Sequence, residues 1–365
     1  MRRIALIYNR YVMVIGMTSY LAVGGVFKQT KITQAYALVI NAFTLVLLPK
    51  ALWEASQSMI MAGWLPPFMW IIPYIQNSIS YAVIAYTLIS RCYRDAMLLD
   101  LELVIKQLNR EMSRTGKQMN SKLQRIFLLK TFTLTYLCCA YIMAIFFWRW
   151  GDSWIYLMKT LLMNMSFNIL IASTYFYFVT LWQIARGYDF VNQRLQEITT
   201  SEWDDLKEQV EELRSLWALH TNLSRTAKRI NRHYGPQMLA SRFDHFIFSI
   251  MNGYMGMIYA HRPGGSSVEK VYGFFLYIIR SLDFFLNDYI CDLMTQYQSE
   301  PKSTLTEGHM SKELSSYVIY EHSIRLNLLV CGLYPANRNR WLHMIISIIV
   351  HSILLLQFHM VMNQK

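Results

Sequence analysis

The chain has 365 residues, of which 54% are hydrophobic and only 16% are charged. A soluble domain usually carries about 25% charged residues, so this composition argues against a soluble enzyme or binding module. The formal net charge is +12, but the basic residues lie between the apolar stretches. This distribution is typical of membrane topology, so the lipid bilayer is an expected partner and nucleic acid is not.

The amino-terminal segment, residues 1–30, has a basic start and an apolar middle, which superficially resembles a signal peptide. Tyr8, Asn9 and Arg10 interrupt the apolar part early. We therefore favour a retained amphipathic segment, cytoplasmic or re-entrant, over a cleaved leader.

Seven apolar runs are each long enough to cross a bilayer as a helix, which takes about 20 residues. They lie at 32–53, 67–90, 126–148, 155–182, 238–260, 271–294 and 341–362. The sequence therefore predicts an all-α membrane protein with seven transmembrane helices, the first six in residues 31–295 and the last in residues 341–365.

Positive charge predicts the orientation of these helices, because cytoplasmic loops collect Lys and Arg. Most of the basic residues precede the first run or lie in the second, fourth and sixth connections. The amino terminus is therefore expected in the cytoplasm and the carboxyl terminus outside the cell, which is the inverse of a G-protein-coupled receptor.

Two long connections are expected in the cytoplasm, where they hold most of the soluble part of the chain. Residues 185–236 have mixed charge and helical apolar spacing, so they should extend the fourth and fifth helices as a solvated pair or as a subunit contact. The apolar positions are Leu206, Val210, Leu213, Leu216 and Trp217. Residues 296–340 form the second segment, in which 313–334 has the periodicity of an amphipathic helix.

Enzyme and cofactor motifs are absent from the sequence, which lacks HExxH, GxSxG, a P-loop and GxGxxG. His343, His351 and His359 recur every eight residues near the end of the chain, but no carboxylate or cysteine joins them. We expect no catalysis, no metal and no cofactor.

Ionisable residues inside the runs are costly at the bilayer centre unless they are paired or reach water. Arg280 and Asp283 lie three residues apart, so a local ion pair is expected, with a wet cavity beside that helix as the alternative. Lys130 and Lys159 lie near the starts of their runs and are expected to snorkel, inward and outward respectively.

Aromatic residues are concentrated in the expected outer halves of the helices, where a membrane-interface belt is the first explanation. Those a turn or more inside the boundary also suit the wall of a small-molecule pocket, because each combines an apolar ring with a polar group. The candidate pocket residues are Trp70, Tyr74, Tyr141, Lys159, Tyr254 and Tyr272.

The last run contains an amide, Gln357, whose donors and acceptor hydrocarbon cannot satisfy. Helical spacing places it on a mainly apolar face, here called the Gln357 stripe, which comprises His343, Ile346, Val350, Leu354, Gln357 and Val361. Such a stripe suits a pore that gates by dewetting, or a bundle face with one interhelical hydrogen bond.

Residues 350–358, VHSILLLQF, resemble the final-helix signature of the insect gustatory receptors, which is Thr-Tyr, five hydrophobic residues and Gln-Phe. Residues 332–342, GLYPANRNRWL, and 226–239, TAKRINRHYGPQML, resemble two further stretches of that family. Val350 and His351 stand where the family has Thr and Tyr, so His351 is the candidate for coupling the final helix to its neighbours.

The resemblance implies a tastant-gated, non-selective cation channel in the plasma membrane, a homo- or hetero-tetramer whose final helices line the pore. It also implies that the extended cytoplasmic helices form a shared anchor. Leu354 would form the constriction, Gln357 would lie near the gate, and Phe358 would pack beside it, with Val350 and Val361 on the same stripe. A bitter or other aversive tastant is the favoured ligand. A sugar-sensing member of the family and a G-protein-coupled chemoreceptor are the alternatives.

Overall fold

The computed structural model describes residues 2–23, 26–61, 66–116, 120–146, 154–200, 206–261, 267–299 and 328–363. Nine helices occur within these ranges: α1 Arg2–Val14, α2 Lys31–Met61, α3 Ile72–Ile89, α4 Arg91–Thr115, α5 Ser121–Phe146, α6 Trp154–Thr200, α7 Leu206–His261, α8 Ser267–Ser299 and α9 Arg338–Asn363. A 3₁₀ turn, Pro67–Met69, precedes α3.

Two short antiparallel hairpins complete the described elements. The first pairs β1 Tyr20–Val23 with β2 Val26–Gln29. The second pairs β3 Leu329–Val330 with β4 Tyr334–Pro335. Helices therefore dominate the described chain, and the prediction of an all-α fold is confirmed.

The seven predicted runs fall in seven different helices, namely α2, α3 and α5 to α9. By length and composition, four of the described helices could cross a membrane, and these are α2, α5, α6 and α9. Of the other three, α7 and α8 hold buried charges, among them Asp244 and Asp283. Seven crossings and the orientation of the termini stay predictions.

Helix α6 forms the centre of the bundle and packs against α5, α7 and α8, with further contacts to α2 and α3. Its residues Phe178, Leu181 and Ile184 are completely buried. Trp182 is also buried and its indole Nε1 donates a hydrogen bond to the Leu123 carbonyl of α5, 2.9 Å away. The largest hydrophobic core therefore surrounds α6.

Helices α6 and α7 run far beyond the thickness of a bilayer. They contain 47 and 56 residues, about 70 and 84 Å at 1.5 Å per residue, against a hydrocarbon core of about 30 Å. Leu213, Leu216 and Leu223 are buried, and Gly187 on α6 brings the backbone close to Leu223. The predicted helices are therefore confirmed over the described residues 185–200 and 206–236, whereas their cytoplasmic location stays a prediction.

Helix α1 packs into the bundle rather than lying apart from it. Val12 and Met17 join a buried cluster with Leu48 of α2, Ile84 of α3 and Ile169 of α6. The chain then turns sharply at Gly16, whose φ of +77° favours glycine. This turn leads into the β1–β2 hairpin.

The second hairpin corrects the end of the helix predicted over 313–334, whereas its residues 313–327 stay a prediction. Residues 300–327 lie outside the described part of the chain, but 328–335 form β3, a tight turn and β4. Three residues, 331–333, join the two strands, and the Leu333 N–H donates to the Val330 carbonyl at 3.0 Å. Cys331 and Gly332 both have positive φ, 50° and 73°, at the centre of this turn. The Asn231 amide of α7 donates to the Leu329 carbonyl at 2.9 Å, which holds the hairpin on α7.

Candidate functional site

The Gln357 stripe faces away from the rest of the subunit. Leu354 is 53% exposed, Val350 48% and Val361 58%, and Gln357 is exposed as well. Only 11% of the most apolar stretch of α9 is buried, compared with 28–39% for α2, α5 and α6. The stripe is therefore open to whatever surrounds this chain, and four of the predicted pore residues, Val350, Leu354, Gln357 and Val361, share one exposed face.

The opposite face of α9 packs against α7. Ser352 is 4% exposed and its hydroxyl donates to the Ile250 carbonyl at 3.2 Å. The two helices approach closely because position 253 is glycine: a Cβ there would lie 2.5 Å from the Ser352 Oγ. Ile348 is 3% exposed on the same face.

Two further predicted residues lie on the flank of α9. The Phe358 ring meets Phe68 edge-on, with centroids 5.0 Å apart. His351 Nδ1 lies 2.7 Å from the Ser347 carbonyl, which can only accept, so Nδ1 carries the proton. The His351 ring also meets Phe246 of α7 edge-on at 5.9 Å. His351 therefore contacts the neighbouring helix, and its role in coupling stays a prediction.

A small cavity lies between α5, α6, α7 and α8. Tyr141 lines it and stacks on Phe167, with ring centroids 4.7 Å apart. The cavity volume is about 30 Å³, room for a water molecule or two but not for a tastant. Its lining residues are Leu137, Tyr141, Phe167, Leu170, Ile171, Thr174, Ser241, Asp244, Arg280, Asp283 and Phe284.

Interhelical ion pairs hold the walls of this cavity together. Arg280 of α8 pairs with Asp244 of α7 at 2.9 Å, and Asp244 also accepts a hydrogen bond from the Ser80 hydroxyl of α3 at 3.1 Å. Lys130 of α5 pairs with Asp283 of α8 at 2.7 Å. Both pairs are almost fully buried, so the charges compensate one another away from water.

These pairs correct two expectations. Arg280 and Asp283 do not form the predicted local pair, because each turns to a different neighbouring helix. Lys130 does not snorkel inward, because its side chain is completely buried against Asp283. The alternative of a cavity beside α8 agrees with the structure, since Arg280 and Asp283 both line one.

Asp244 was missed among the sequence candidates, together with Arg242, which pairs with Asp288 of α8. The same signal that singled out Lys130 could have found them. Both are ionisable residues inside the apolar run 238–260, where an unpaired charge is costly.

The other aromatic pocket candidates are dispersed. Tyr254 is fully buried, but it packs with Met69 and Met251 beneath α9. Tyr74 lies against Trp53 of α2, with ring centroids 4.7 Å apart. The structure therefore brings neither of them to the cavity that Tyr141 lines.

Trp70 and Lys159 also lie elsewhere. Trp70 is 46% exposed at the 3₁₀ turn. Lys159 forms an ion pair with Glu54 of α2. The side chain of Tyr272 lies outside the described part of the structure. The pocket assignment of these three residues stays a prediction.

Among the described residues, no cluster of three or more His, Cys, Asp or Glu side chains could hold a metal ion. His343, His351 and His359 lie along α9. His359 meets Tyr254 edge-on at 5.9 Å.

Comparisons with known proteins agree on one family. The model of the family described as 7tm chemosensory receptor matches residues 5–362. The chain is 59% identical over 300 residues to "Putative gustatory receptor 59b" of Drosophila erecta, an alignment that covers 82% of this chain and 51% of that protein. The chain thus spans about half the length of this curated relative.

Two solved structures of the insect olfactory receptor OR5 from Machilis hrabei share the fold. One covers 98% of this chain and 97% of its own, with a TM-score of 0.65 and 13% identity. The other, in complex with eugenol, covers 98% of both chains, with a TM-score of 0.58 and 11% identity. At such identities the likeness extends to the fold alone.

Proposed function

The chain belongs to the insect gustatory receptor family, and from this premise we propose that it is a subunit of a tastant-gated, non-selective cation channel in the plasma membrane. Four subunits, identical or related, would bring their α9 helices together around one axis. The family is one of chemosensory receptors and not of enzymes.

The exposed Gln357 stripe of α9 is the observation that supports this proposal. Lipid would satisfy the apolar residues of the Gln357 stripe, but it would leave the Gln357 amide without hydrogen-bond partners. A water-filled axis shared with other subunits satisfies the amide and suits the apolar residues, because an apolar ring of Leu354 side chains closes a narrow pore by dewetting. The exposure of Leu354 and Gln357 on one face supports this arrangement.

The cavity beside Tyr141 is our candidate for the tastant site. Its volume of about 30 Å³ is far below the roughly 300 Å³ of a typical ligand pocket. A tastant would therefore bind only to an expanded arrangement in which α7 and α8 move away from α5 and α6. Because α9 packs on α7, this expansion would shift the pore helix, and the ligand would open the channel by stabilising that state.

The lining of the cavity favours an aromatic, aversive compound over a sugar. Tyr141, Phe167 and Phe284 supply aromatic surface, while Arg280 and Asp244 are already engaged with each other. A sugar needs several converging polar groups to replace its bonds to water. The eugenol complex of OR5 is a precedent for small-molecule binding in this fold, extended here as a proposal.

The gate is tested with Leu354→Ala in a cell line that expresses the receptor. Shortening the side chain widens the constriction and lets water enter, so we expect the resting cation current to rise at least several-fold over wild type at equal surface expression. Whole-cell current without tastant is the measurement. Ile349→Ala is the matched control, because Ile349 is 54% exposed on another side of α9.

The two variants lose similar apolar surface, so a general effect on folding would change both alike. A rise for Leu354→Ala alone supports the gate. An unchanged resting current in Leu354→Ala, with normal surface expression, would remove Leu354 from the constriction.

A further inference from the structure

An open groove of about 610 Å³ lies beside the β1–β2 hairpin, near the start of the chain. It shares no lining residue with the Tyr141 cavity. The β1–β2 hairpin, the first turns of α2 and the first turns of α4 enclose it. Its lining combines two cations, Lys31 and Arg91, with one carboxylate, Asp95. Polar Gln29 and Gln34 and apolar Leu38 also line it. Neither the pore nor the proposed tastant site uses these residues.

The wall of the groove is held in place by a buried carboxylate. Asp95 of α4 is 4% exposed and accepts hydrogen bonds from the Thr18 hydroxyl at 2.7 Å and the Ser19 hydroxyl at 2.9 Å. The Ser19 backbone N–H also donates to it at 3.3 Å, and Gln29 donates to the Ser19 hydroxyl at 2.6 Å. The hairpin is thereby fastened to α4, and the groove is a built feature.

The two cations have no carboxylate within ion-pair distance among the described residues. Lys31 is exposed and Arg91 is half-buried. When the Asn41 amide is oriented so that its nitrogen donates to the Gly16 carbonyl, its oxygen accepts from Arg91 at 3.3 Å. This contact positions the guanidinium without neutralising its charge, so an anion would find two cationic donors here.

The groove also has an apolar side. Lys31, Gln34 and Leu38 follow one another at one-turn spacing on α2, and all three line the groove. The cationic end thus leads into the apolar run of α2, where Leu38 is 63% exposed. A ligand that fits both ends has an anionic head and an apolar tail.

We propose that this groove binds an anionic amphiphile through a phosphate group, with a membrane phospholipid as the first candidate and a soluble phosphate compound as the other source of the same chemistry. Lys31 and Arg91 hold the phosphate, Gln29 and Gln34 hydrogen-bond the headgroup, and Leu38 contacts an acyl chain. Anionic lipids are concentrated in the cytoplasmic leaflet, which is the side on which the charge distribution places the start of α2.

The test uses the full-length receptor purified in detergent and binding measured by native mass spectrometry. The probes are phosphatidylinositol 4-phosphate, phosphatidylcholine and inorganic phosphate. We expect phosphatidylinositol 4-phosphate to bind at least tenfold more tightly than phosphatidylcholine, and the double variant Lys31→Gln/Arg91→Gln to lose about tenfold or more of that affinity. Lys28→Gln is the matched control, because Lys28 is an exposed cation of β2 outside the groove lining.

Leu38→Ser separates the two sources of phosphate. Weaker binding of the lipid, with no change for inorganic phosphate, supports the phospholipid. Inorganic phosphate could instead bind wild type as tightly as the lipid does, and the double variant could lose that binding. This result would support the cationic site and assign it to a soluble phosphate compound. Equal binding to wild type and to the double variant, at equal thermal stability, would overturn the proposal.

Discussion

Gly253 determines how closely α9 approaches α7, and Gly253→Ala tests that contact. The added methyl group would lie 2.5 Å from the Ser352 Oγ, so the hydroxyl must leave the Ile250 carbonyl or the helices must separate. We expect a loss of about 1–3 kcal/mol of stability, as for other overpacked sites. The unfolding temperature of the purified receptor measures it.

Gly256 supplies the control for this substitution, because a Cβ there meets nothing within 4 Å. Gly256→Ala should therefore be neutral or stabilising by up to about 1 kcal/mol, as Gly to Ala is within helices. Adding Ser352→Ala to Gly253→Ala removes the clashing oxygen and should restore part of the lost stability. Equal unfolding temperatures for Gly253→Ala and Gly256→Ala would show that α9 does not pack tightly at Gly253.

Some residue positions could be predicted from the sequence and others could not. The stripe on α9 could be predicted, because helical periodicity alone places Val350, Leu354 and Gln357 on one face. The apolar spacing of the preceding residues predicts a helix that continues through Cys331 and Gly332, where the structure has a turn. Gly332, followed by Pro335, was the available sign of a turn.

Ion pairs join α5 and α7 to α8. Lys130→Met tests the pair between α5 and α8. The substitution leaves Asp283 buried without its cation, so we expect a loss of about 3–5 kcal/mol. Asp283 still accepts a hydrogen bond from Thr133 at 2.7 Å, which cannot neutralise the charge. The measurement is the unfolding temperature together with the fraction of receptor that reaches the cell surface.

The double variant Lys130→Met/Asp283→Leu removes both charges and should recover most of the stability, because apolar residues of similar size replace a buried pair well. Arg229→Met is the exposed control, since Arg229 and Asp100 pair at the surface and such pairs contribute at most about 1 kcal/mol. A double variant as unstable as Lys130→Met alone would contradict the pairing.

The partners in these pairs could not be read from the sequence. Arg280 and Asp283 have the spacing of a local pair, but that rule holds for exposed helix surfaces. Inside a bundle, each residue points to whichever neighbouring helix lies on its side. One sequence contains no information on which helices are neighbours, so the presence of buried charge was predictable and its pairing was not.

Helices α6 and α7 join the helical bundle to its long extension. His220 lies inside the contact between these two helices. Its ring is 5.0 Å from that of Tyr188, and burial lowers the pKa of His220 to about 4. The unfolded imidazole titrates near pH 6.5. Between these values the unfolded chain binds more protons, so the free energy of unfolding falls as the pH drops from 6.5 to 4.

This pH dependence is measured as the unfolding temperature of the purified receptor at pH 7.5, 5.5 and 4. We expect His220 to contribute about 3 kcal/mol of stability above pH 6.5, lost by pH 4. His220→Gln should flatten that part of the profile, whereas His343→Gln, at an exposed position of α9, should not. An identical pH profile for wild type and His220→Gln would contradict the assignment.

The β3–β4 hairpin sets a mechanical limit on the proposed pore helix. Two residues separate Pro335 from the start of α9. Asn231 ties the hairpin to α7, and Arg338 ties the first turn of α9 to Asp292 of α8. Because its first turn is held on two sides, we expect α9 to follow a shift of α7 by pivoting there rather than by sliding along its axis. The widest travel then falls at the far end, which carries Leu354 and Gln357.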